Sequence, residues 1–232
     1  MAGISIMIPT FNRGGFIRDC IDSVLAQGVE DIEIVVVDDG STDSTKEIVD
    51  SYALSYIKYY YQEHKGIPSS RNQCLKLSTG DLLAFIDSDD MWVSGKLRKQ
   101  IDFLDANPNA EIVFTKYKNY FETDAIQNSD KAKKELDMER TNNYALPTAL
   151  FRRRLSESIG EFNEDLAVGE DVEWIMRMRL KGVCVDNCIE EQLYLRRLHE
   201  NNSVFVENTD TRAISKALAM QMRKKIKQAM QK

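Results

Sequence analysis

Strand signals and helix signals alternate through the first hundred residues, and this alternation limits the fold more than any other feature of the sequence. The run IEIVVV, residues 32–37, is rich in β-branched side chains, as a strand buried on both faces requires. Similar strand-like runs span residues 4–8, 56–61 and 82–86, and apolar residues at helical spacing separate them. Strands that alternate with helices predict βαβ units, so we expect an α/β fold with a mostly parallel central sheet flanked by helices.

The second half of the chain is less regular. A strand-like run covers residues 112–114, with an extension to residue 121 as the alternative, and a helix is predicted over 172–180 with Gly182 as its stop. One or two further strands are expected within residues 183–195. Residues 122–143 are polar and rich in charge without clear periodicity, which predicts a loop.

The C-terminal stretch, residues 207–232, has the pattern of a basic amphipathic helix. Seven Lys and Arg residues and no acidic residue follow Asp210, and apolar side chains recur there at helical spacing. Such a helix packs on its own domain or on a second copy in a homodimer, or it lies as a peripheral contact on an anionic membrane surface. Packing on protein is the plainer interpretation, and the membrane stays open as the alternative.

Composition excludes several classes of protein. The net charge of −6 argues against a nucleic-acid partner, because proteins that bind nucleic acid usually draw their affinity from a basic face. No run approaches the roughly 18 apolar residues of a membrane span, and the first residues lack the basic segment of a signal peptide. The four cysteines are scattered, which favours reduced thiols over a disulfide framework. We therefore expect a cytoplasmic protein, with the inner face of the membrane as the alternative location.

Polar residues follow three of the predicted strands, at the point where each strand ends. They occupy residues 9–13, 38–41 and 87–90. Each motif alone has a plain explanation, since Asp-Gly-Ser forms turns and an aspartate often caps a helix. Because the carboxyl ends of parallel strands meet at one edge of a sheet, where ligands bind, the three motifs together indicate a ligand site. The three carboxylates of the last motif also need a cation to compensate their charge.

Five motifs, in order, make the chain resemble the family 2 glycosyltransferases. They are SIMIPTFNR, VVVDDGSTDST, HKGIPSSRN, DSDD and GEFNEDLAVGEDVEWIMRM, and they span about residues 4–203. Members of this family are inverting enzymes of the GT-A fold, which is Rossmann-like, and they use nucleotide sugars. The resemblance implies one GT-A domain over residues 1–206, with a nucleotide-binding half (1–90) and an acceptor-binding half (91–206), followed by the C-terminal helix.

The resemblance implies that the acidic cluster holds a divalent cation, Mn²⁺ or Mg²⁺, which neutralises the diphosphate of the leaving group. Such hard cations take carboxylate and phosphate oxygens as ligands. Asp87-Ser88-Asp89 matches the Asp-x-Asp motif of the family, so Asp89 is the expected metal ligand, and Asp87 or Asp90 shares that task or binds the ribose. His199 resembles a late histidine that reaches the metal or the diphosphate, with a surface histidine as the alternative.

Other residues match positions that bind the nucleotide in this family. Asp39 matches the position that accepts a hydrogen bond from the nucleobase, and Pro9, Thr10 and Asn12 line the same end. Arg71 matches a basic position that faces the nucleotide, where a planar guanidinium suits phosphate or base. A solvated arginine on a helix is the alternative interpretation of Arg71.

Inverting transfer also requires a base that takes the proton of the acceptor hydroxyl. Asp171, in GEDVEW, matches the usual base of the family, and Glu170 and Trp174 are expected to support the base or the acceptor. Without the resemblance, two acids at the start of a helix are most simply explained by the helix dipole. Trp174 either stacks on a sugar ring or is buried.

The predicted function is therefore metal-dependent, inverting transfer of one sugar from a nucleotide donor, preferably UDP-linked, to a glycan or lipid-linked acceptor in surface polysaccharide synthesis. Transfer of one sugar at a time is expected because the Gln-x-x-Arg-Trp signature of processive members is absent. Two alternatives remain, a non-catalytic partner subunit that binds nucleotide sugars and a sugar nucleotidyltransferase. The second fits poorly, because PTFNRGG stands where a glycine-rich phosphate loop with a lysine is expected.

Overall fold

The computed structural model describes residues 3–130, 136, 145–166, 168–200 and 202, and in these ranges eight strands form one sheet. The strands are β1 (Ile4–Thr10), β2 (Ile32–Asp38), β3 (Ile57–Tyr61), β4 (Leu82–Phe85), β5 (Met91–Trp92), β6 (Ile112–Phe121), β7 (Leu150–Arg152) and β8 (Cys188–Leu198). The helices are α1 (Ile17–Leu25), α2 (Thr45–Asp50), α3 (Ile67–Leu77), α4 (Lys96–Ala106), α5 (Asp124–Gln127), α6 (Arg153–Ile159) and α7 (Glu170–Leu180), with a 3₁₀ turn at Leu146–Thr148.

The sheet has the strand order β3-β2-β1-β4-β7-β6-β8-β5. The first four strands of this order are parallel, which confirms the βαβ prediction for the N-terminal half. β7 runs antiparallel to both β4 and β6, β8 is parallel to β6, and β5 is antiparallel to β8. The sheet is therefore parallel where the sequence alternates between strands and helices, and mixed where that alternation is lost.

The core has two layers, one on each face of the sheet. Ile34 and Val36 of β2 belong to the layer under α1, whereas Val35 and Val37 belong to the layer that contains the aromatic residues of the second half. All four side chains are fully buried, as the run IEIVVV predicts for a central strand with both faces covered.

Two glycines with positive φ direct helices toward the carboxyl edge of the sheet. Gly66 (φ +93°) precedes α3, which has Pro68 in its first turn, and Gly169 (φ +84°) precedes α7. These φ angles lie in a region that residues with a Cβ rarely adopt, so glycine allows the backbone to turn into each of these helices. As a result, α3 and α7 both begin beside the polar ends of the strands.

Several predicted boundaries differ from the observed ones. β8 is a single strand of 11 residues that ends three residues beyond the predicted range, and α7 begins at Glu170, two residues before the predicted helix. The predicted loop over 122–143 contains the short helix α5, and most of the rest of that segment lies outside the described residues. The predicted C-terminal helix, 207–232, also lies outside them, and the division into nucleotide and acceptor halves stays a prediction. Within the described ranges, no helix combines the length and apolarity that crossing a membrane requires.

Candidate active site

The loops that follow β1 and β2 are joined to each other at the carboxyl edge of the sheet. Asn12, with φ +51°, accepts a hydrogen bond from the Thr42 N–H at 2.9 Å through its side-chain oxygen, and its own N–H donates to Ser41 Oγ at 2.7 Å. Pro9 and Thr10 are buried at the end of β1, and the Thr10 carbonyl accepts the Asp39 N–H at 2.8 Å. The predicted nucleotide-binding residues of the first two motifs are therefore neighbours.

Asp39 is buried, and the segment that leads into α3 surrounds its carboxylate. Its Oδ1 accepts hydrogen bonds from Gln62 Nε2 at 2.6 Å and from the Lys65 N–H at 2.9 Å. Its Oδ2 accepts the Gly66 N–H at 2.8 Å and lies 2.8 Å from His64 Nδ1. The first three contacts are hydrogen bonds, whereas His64 Nδ1 also lies 3.0 Å from the Asp39 backbone carbonyl, so three of the four acceptor sites of the carboxylate are filled and the fourth lies beside the exposed His64 ring. A nucleobase N–H can reach the carboxylate if the Gln62 amide or the His64 ring moves, and the base contact stays a prediction.

The three aspartates after β4 have three different environments. Asp87 is the most accessible, with 39% of its side chain exposed, and it faces Arg71. Asp89 is largely buried between Arg13 and His199, and Asp90 points into the protein. Partial burial and the negative charges of Asp89 and Asp171 raise the pKa of Asp87 above its usual value, although the Arg71 guanidinium opposes this shift.

Asp89 and His199 are the two side chains that most resemble a metal-binding pair. Asp89 Oδ2 lies 3.1 Å from Arg13 Nε and 3.1 Å from His199 Nε2. Burial alone would raise the pKa of Asp89, but the His199 hydrogen bond and the Arg13 charge outweigh burial and lower it. The His199 ring stacks on Phe16, with 4.2 Å between the ring centroids, and it is almost fully buried. The structure thus excludes the surface-histidine alternative for His199.

Asp90 is enclosed by the protein, and both of its carboxylate oxygens accept hydrogen bonds from β8. Its Oδ2 accepts the Tyr194 hydroxyl at 2.6 Å, and its Oδ1 accepts the Arg197 N–H at 2.8 Å. Its side chain is almost fully buried, and burial together with the charges of Asp89 and Asp87 raises its pKa well above the usual value. This geometry does not favour the predicted contact of Asp90 with the ribose or the metal, because both oxygens already hold β8 against the acidic cluster.

Arg71 joins the acidic cluster to the start of α7. Its Nη1 donates to Glu170 Oε1 at 2.5 Å, and its Nη2 donates to Asp87 Oδ1 at 3.4 Å. The residue is only 5% exposed, so the alternative of a solvated helix arginine is wrong. The predicted contact of Arg71 with the nucleotide has no support in this geometry, because the ends of the guanidinium point at two carboxylates.

The start of α7 presents Glu170 inward and Asp171 outward. Glu170 is buried against Arg71, whereas Asp171 is partly exposed and its Oδ1 accepts the Val172 N–H at 2.7 Å. Trp174, one turn later, is fully buried: its indole N–H donates to the Gly160 carbonyl at 2.8 Å, and its ring packs on Phe162. The predicted contact of Trp174 with the acceptor is therefore wrong, because the side chain belongs to the core.

Sequence reasoning missed the residues that orient the acidic cluster. Arg13 stands within the first motif, but no local pattern connects it with Asp89, 76 residues away. Tyr194 and Arg197 reach Asp90 because β5 pairs antiparallel with β8, with Trp92 opposite Tyr194. Arg197 also donates to the Asp89 carbonyl and forms an ion pair with Asp19 of α1. Such pairing between distant strands has no signature in the sequence of either strand.

The fit of a divalent metal depends on the donor atoms near Asp89. Among the described residues, no group of three or more His, Cys, Asp or Glu side chains is arranged to hold a metal ion by itself. Asp89 Oδ2 and His199 Nε2 nevertheless converge, 3.1 Å apart, next to the accessible Asp87. One or two carboxylates that share a cation with substrate phosphates are typical of Mg²⁺ sites. These residues fit a metal that the protein and a diphosphate hold together.

Comparison with known families identifies the chain. The model of the family described as "Glycosyl transferase family 2" matches residues 5–160, which is more than half of the sequence. The chain belongs to this family. The resemblance carried by the five motifs is confirmed, and the family and its curated relatives are glycosyltransferases.

Two curated relatives illustrate the range of similarity. An uncharacterized glycosyltransferase of Rickettsia typhi is 31% identical over 210 residues, which are 85% of this chain and 64% of that protein. The Escherichia coli UDP-Glc:alpha-D-GlcNAc-diphosphoundecaprenol beta-1,3-glucosyltransferase WfaP is 38% identical over 119 residues, 51% of this chain and 46% of that protein. The chain spans between 33% and 64% of the length of the first four rickettsial relatives that it matches.

Solved structures show the same architecture. TarS of S. aureus (residues 1–349, in complex with UDP-GlcNAc) has a TM-score of 0.72 and 23% identity, covering 89% of this chain and 62% of the other. The mannosyltransferase PcManGT of Pyrobaculum calidifontis, in complex with GDP-Man and Mn²⁺, has a TM-score of 0.67 and 21% identity, covering 87% and 58%. At these identities the likeness shows the fold, and it confirms the predicted GT-A architecture.

Proposed function

We propose that this chain catalyses metal-dependent, inverting transfer of a single sugar from a nucleotide-sugar donor, preferably UDP-linked. The observation that carries the proposal is the bridge from Asp87 through Arg71 to Glu170, because it brings the candidate base, Asp171, next to the candidate metal and diphosphate site. The donors seen with similar folds, UDP-GlcNAc in TarS and GDP-Man in PcManGT, support a nucleotide sugar. UDP is preferred because Asp39 matches the position that accepts a uracil N–H in uridine-using members.

Asp89 and His199 are the residues that would hold the metal, with Asp87 beside them. When bound, Mn²⁺ or Mg²⁺ supplies Lewis-acid neutralisation of the charge that develops on the leaving diphosphate. Arg13 and His199 hold Asp89 as a carboxylate, because both lower its pKa against the effect of burial. An ionised Asp89 is the form that a hard cation requires.

Asp171 is the proposed base. Its carboxylate accepts the proton of the acceptor hydroxyl as that oxygen attacks the anomeric carbon from the face opposite the nucleotide. The Val172 N–H donates to Asp171 Oδ1 at 2.7 Å and orients the carboxylate in the first turn of α7. Glu170 supports this arrangement indirectly, because its ion pair with Arg71 holds the first turn of α7 at the site.

The nucleotide is proposed to lie over the joined loops after β1 and β2. Asn12 holds the two loops together, and Pro9 and Thr10 form the wall beneath them. Asp39 keeps its proposed contact with the nucleobase if the Gln62 amide gives way, since that amide occupies Oδ1 together with the Lys65 N–H. The acceptor is proposed to be a glycan or a lipid-linked glycan in polysaccharide synthesis, in keeping with the lipid-linked acceptor in the name of the Escherichia coli relative.

The decisive experiment incubates the purified chain with a panel of nucleotide sugars, with and without Mn²⁺, and measures release of the nucleoside diphosphate. We expect Mn²⁺-dependent release of UDP from at least one UDP-sugar. Release of pyrophosphate from a sugar phosphate and UTP would instead indicate the nucleotidyltransferase alternative. Binding of UDP without turnover of any donor, across a panel of glycan acceptors, would indicate the non-catalytic partner subunit.

A matched pair of variants assigns the turnover to this site. Asp171→Asn removes the proposed base, whereas Asp165→Asn changes an exposed acid of the same segment that lies outside the contacts of the site. We expect only the first variant to lose transfer, by a factor on the order of 10²–10⁴, the usual contribution of a general base. Equal rates in Asp171→Asn and the unchanged chain would refute the choice of base.

A further inference from the structure

Phe16 connects the first loop of the fold to the histidine of the candidate metal pair. It stands directly before α1, and its ring stacks on the His199 imidazole with 4.2 Å between the centroids and 30° between the planes. Because only 1% of His199 is exposed, this stack lies inside the protein. Stacked aromatic rings prefer a limited set of relative orientations, so Phe16 restricts the rotation of the imidazole.

The Phe16 ring also packs against the end of the strand that leads to His199. Arg197 lies two residues before His199, and side chains at this spacing point to the same side of a strand. The Arg197 Cζ is 5.2 Å from the centroid of the Phe16 ring. Arg197 is in turn held by Asp19 at 2.5 Å and by the Asp89 carbonyl at 3.1 Å. Phe16 therefore packs on a part of the fold whose side chains are fixed by several contacts.

One turn of the first loop contacts both members of the candidate metal pair. The turn is closed by the Phe16 N–H, which donates to the Arg13 carbonyl at 2.9 Å. The Arg13 side chain meets Asp89, with 3.1 Å between Nε and Oδ2, while the Phe16 side chain meets His199. The position of the carboxylate relative to the imidazole therefore depends on the turn formed by residues 13–16.

The plane of the imidazole decides whether His199 can bind a metal. A histidine binds a cation through a ring nitrogen, and the torsion that turns its ring has a broad energy profile. His199 Nε2 lies 3.1 Å from Asp89 Oδ2, but a contact between two single atoms leaves rotation about the line that joins them. The stack on Phe16 opposes that rotation, because it constrains the whole ring.

We propose that Phe16 is a positioning residue, which orients the His199 imidazole toward a divalent metal held together with Asp89. This assignment rests on the proposed function, since it concerns the metal of that reaction. Side chains that orient a metal ligand typically change metal affinity about 10–100-fold when they are replaced. The role requires an aromatic ring at residue 16, because apolar volume alone does not define the plane of a neighbouring ring.

The first test compares Phe16→Leu with Phe16→Tyr and with Phe103→Leu. Phe103 is a half-buried phenylalanine of α4, so its replacement is a matched control outside the site. The Kd of Mn²⁺, measured by calorimetry in the presence of UDP, should rise about tenfold in Phe16→Leu. It should stay close to the value of the unchanged chain in Phe16→Tyr, which keeps the ring, and in Phe103→Leu. Equal losses in both leucine variants, or in Phe16→Leu and Phe16→Tyr, would overturn the proposal.

Proton NMR of the imidazole rings tests the stack without metal or nucleotide. His64 and His199 are the only histidines of the sequence, and His64 stacks on a different ring, that of Phe11. Protons above an aromatic face resonate upfield, so the His199 ring signals should move downfield in Phe16→Leu while those of His64 stay in place. His199 signals that do not move would overturn the proposal.

A double-mutant cycle shows whether the effect passes through His199. We expect His199→Ala to weaken Mn²⁺ binding about tenfold or more, and Phe16→Leu to cause no further loss in that background. Additive losses would overturn the positioning role. An unchanged Mn²⁺ affinity in His199→Ala would overturn it as well, while Asp89 would remain the proposed ligand. If the unchanged chain binds UDP but no Mn²⁺, the metal dependence in the proposed function is refuted together with the role of Phe16.

Discussion

Glu33 gives the most direct quantitative test of how this fold is held together. It lies at the amino end of β2, opposite the candidate active site, and its carboxylate joins three segments. Ser5 Oγ donates to it at 2.6 Å, Thr79 Oγ1 at 2.8 Å and Lys58 Nζ at 2.6 Å, and the Thr79 N–H also donates. These contacts tie β1, β3 and the segment before β4 to the central strand.

The lowered pKa of Glu33 gives the contribution of these contacts to the free energy of unfolding. Burial alone would raise the pKa, but the hydrogen bonds from Lys58, Ser5 and Thr79 outweigh burial and lower it from 4.5 to about 2. A shift of that size corresponds to about 3 kcal/mol at about 1.4 kcal/mol per unit. Since 10% of the side chain remains exposed to water, we expect about 2–3 kcal/mol of the free energy of unfolding.

The sign follows from the direction of the shift. The folded state binds the proton of Glu33 more weakly than the unfolded state, so this stabilisation is complete above about pH 5 and is lost as the pH falls from 4.5 to 2. In Glu33→Gln the group no longer titrates. The difference in unfolding free energy between the unchanged chain and Glu33→Gln should therefore be about 2–3 kcal/mol at pH 6–7 and shrink toward zero near pH 2.

Urea unfolding followed by circular dichroism, at a series of pH values from 2.5 to 7, measures this difference. Other carboxylates titrate in both proteins, so their effects cancel in the comparison. Glu157→Gln, which changes an exposed glutamate of α6, is the matched control and should show little difference at any pH. A difference for Glu33→Gln that does not change with pH, or that grows as the pH falls, would refute the reasoning.

Two further predictions concern buried side chains. Trp174→Ala should lower the free energy of unfolding by about 3–5 kcal/mol, measured by urea unfolding, since it empties a fully buried aromatic site; a loss below about 1 kcal/mol would contradict its burial. Lys96 is fully buried, and its Nζ donates to Gln100 Oε1 at 2.7 Å. Burial lowers the pKa of Lys96 well below the usual value. The unfolded state therefore binds this proton more strongly than the folded state, and the folded state loses stability as the pH falls. The stability of Lys96→Met relative to the unchanged chain should therefore rise from pH 10 to pH 7; a constant difference over that range would contradict the shifted pKa of Lys96.

Local patterns predicted the N-terminal half of the fold well, because its contacts are short in sequence and repeat one motif. Each of β1, β2 and β4 ends in polar residues, and the parallel arrangement brings those ends to one edge. The second half follows no such rule. β7, only three residues long, separates β4 from β6, and no alternation or spacing in LFR predicts that it reverses the direction of the sheet.

In the candidate site, the sequence predicted which residue types are present but not the environment of every side chain. The motifs predicted that Asn12 and Asp89 gather at the edge, and the resemblance to the family added His199. They failed for Trp174, because an aromatic residue on a helix has the same pattern whether it faces a ligand or the core. Its burial depends on Phe162 and on the Gly160 carbonyl, which belong to a segment that folds back over α7.

The acidic cluster explains why sequence spacing cannot rank identical side chains. Asp87, Asp89 and Asp90 follow one strand, yet each takes its environment from a different element. Asp87 faces an arginine of α3, Asp89 meets a histidine at the end of β8, and Asp90 accepts a tyrosine hydroxyl from the middle of β8. Because β8 supplies the partners of two of them, a change in the β5–β8 pairing would alter the metal-binding candidate and the buried aspartate together. The geometry of the candidate metal site therefore depends on strand pairing as much as on the acids themselves.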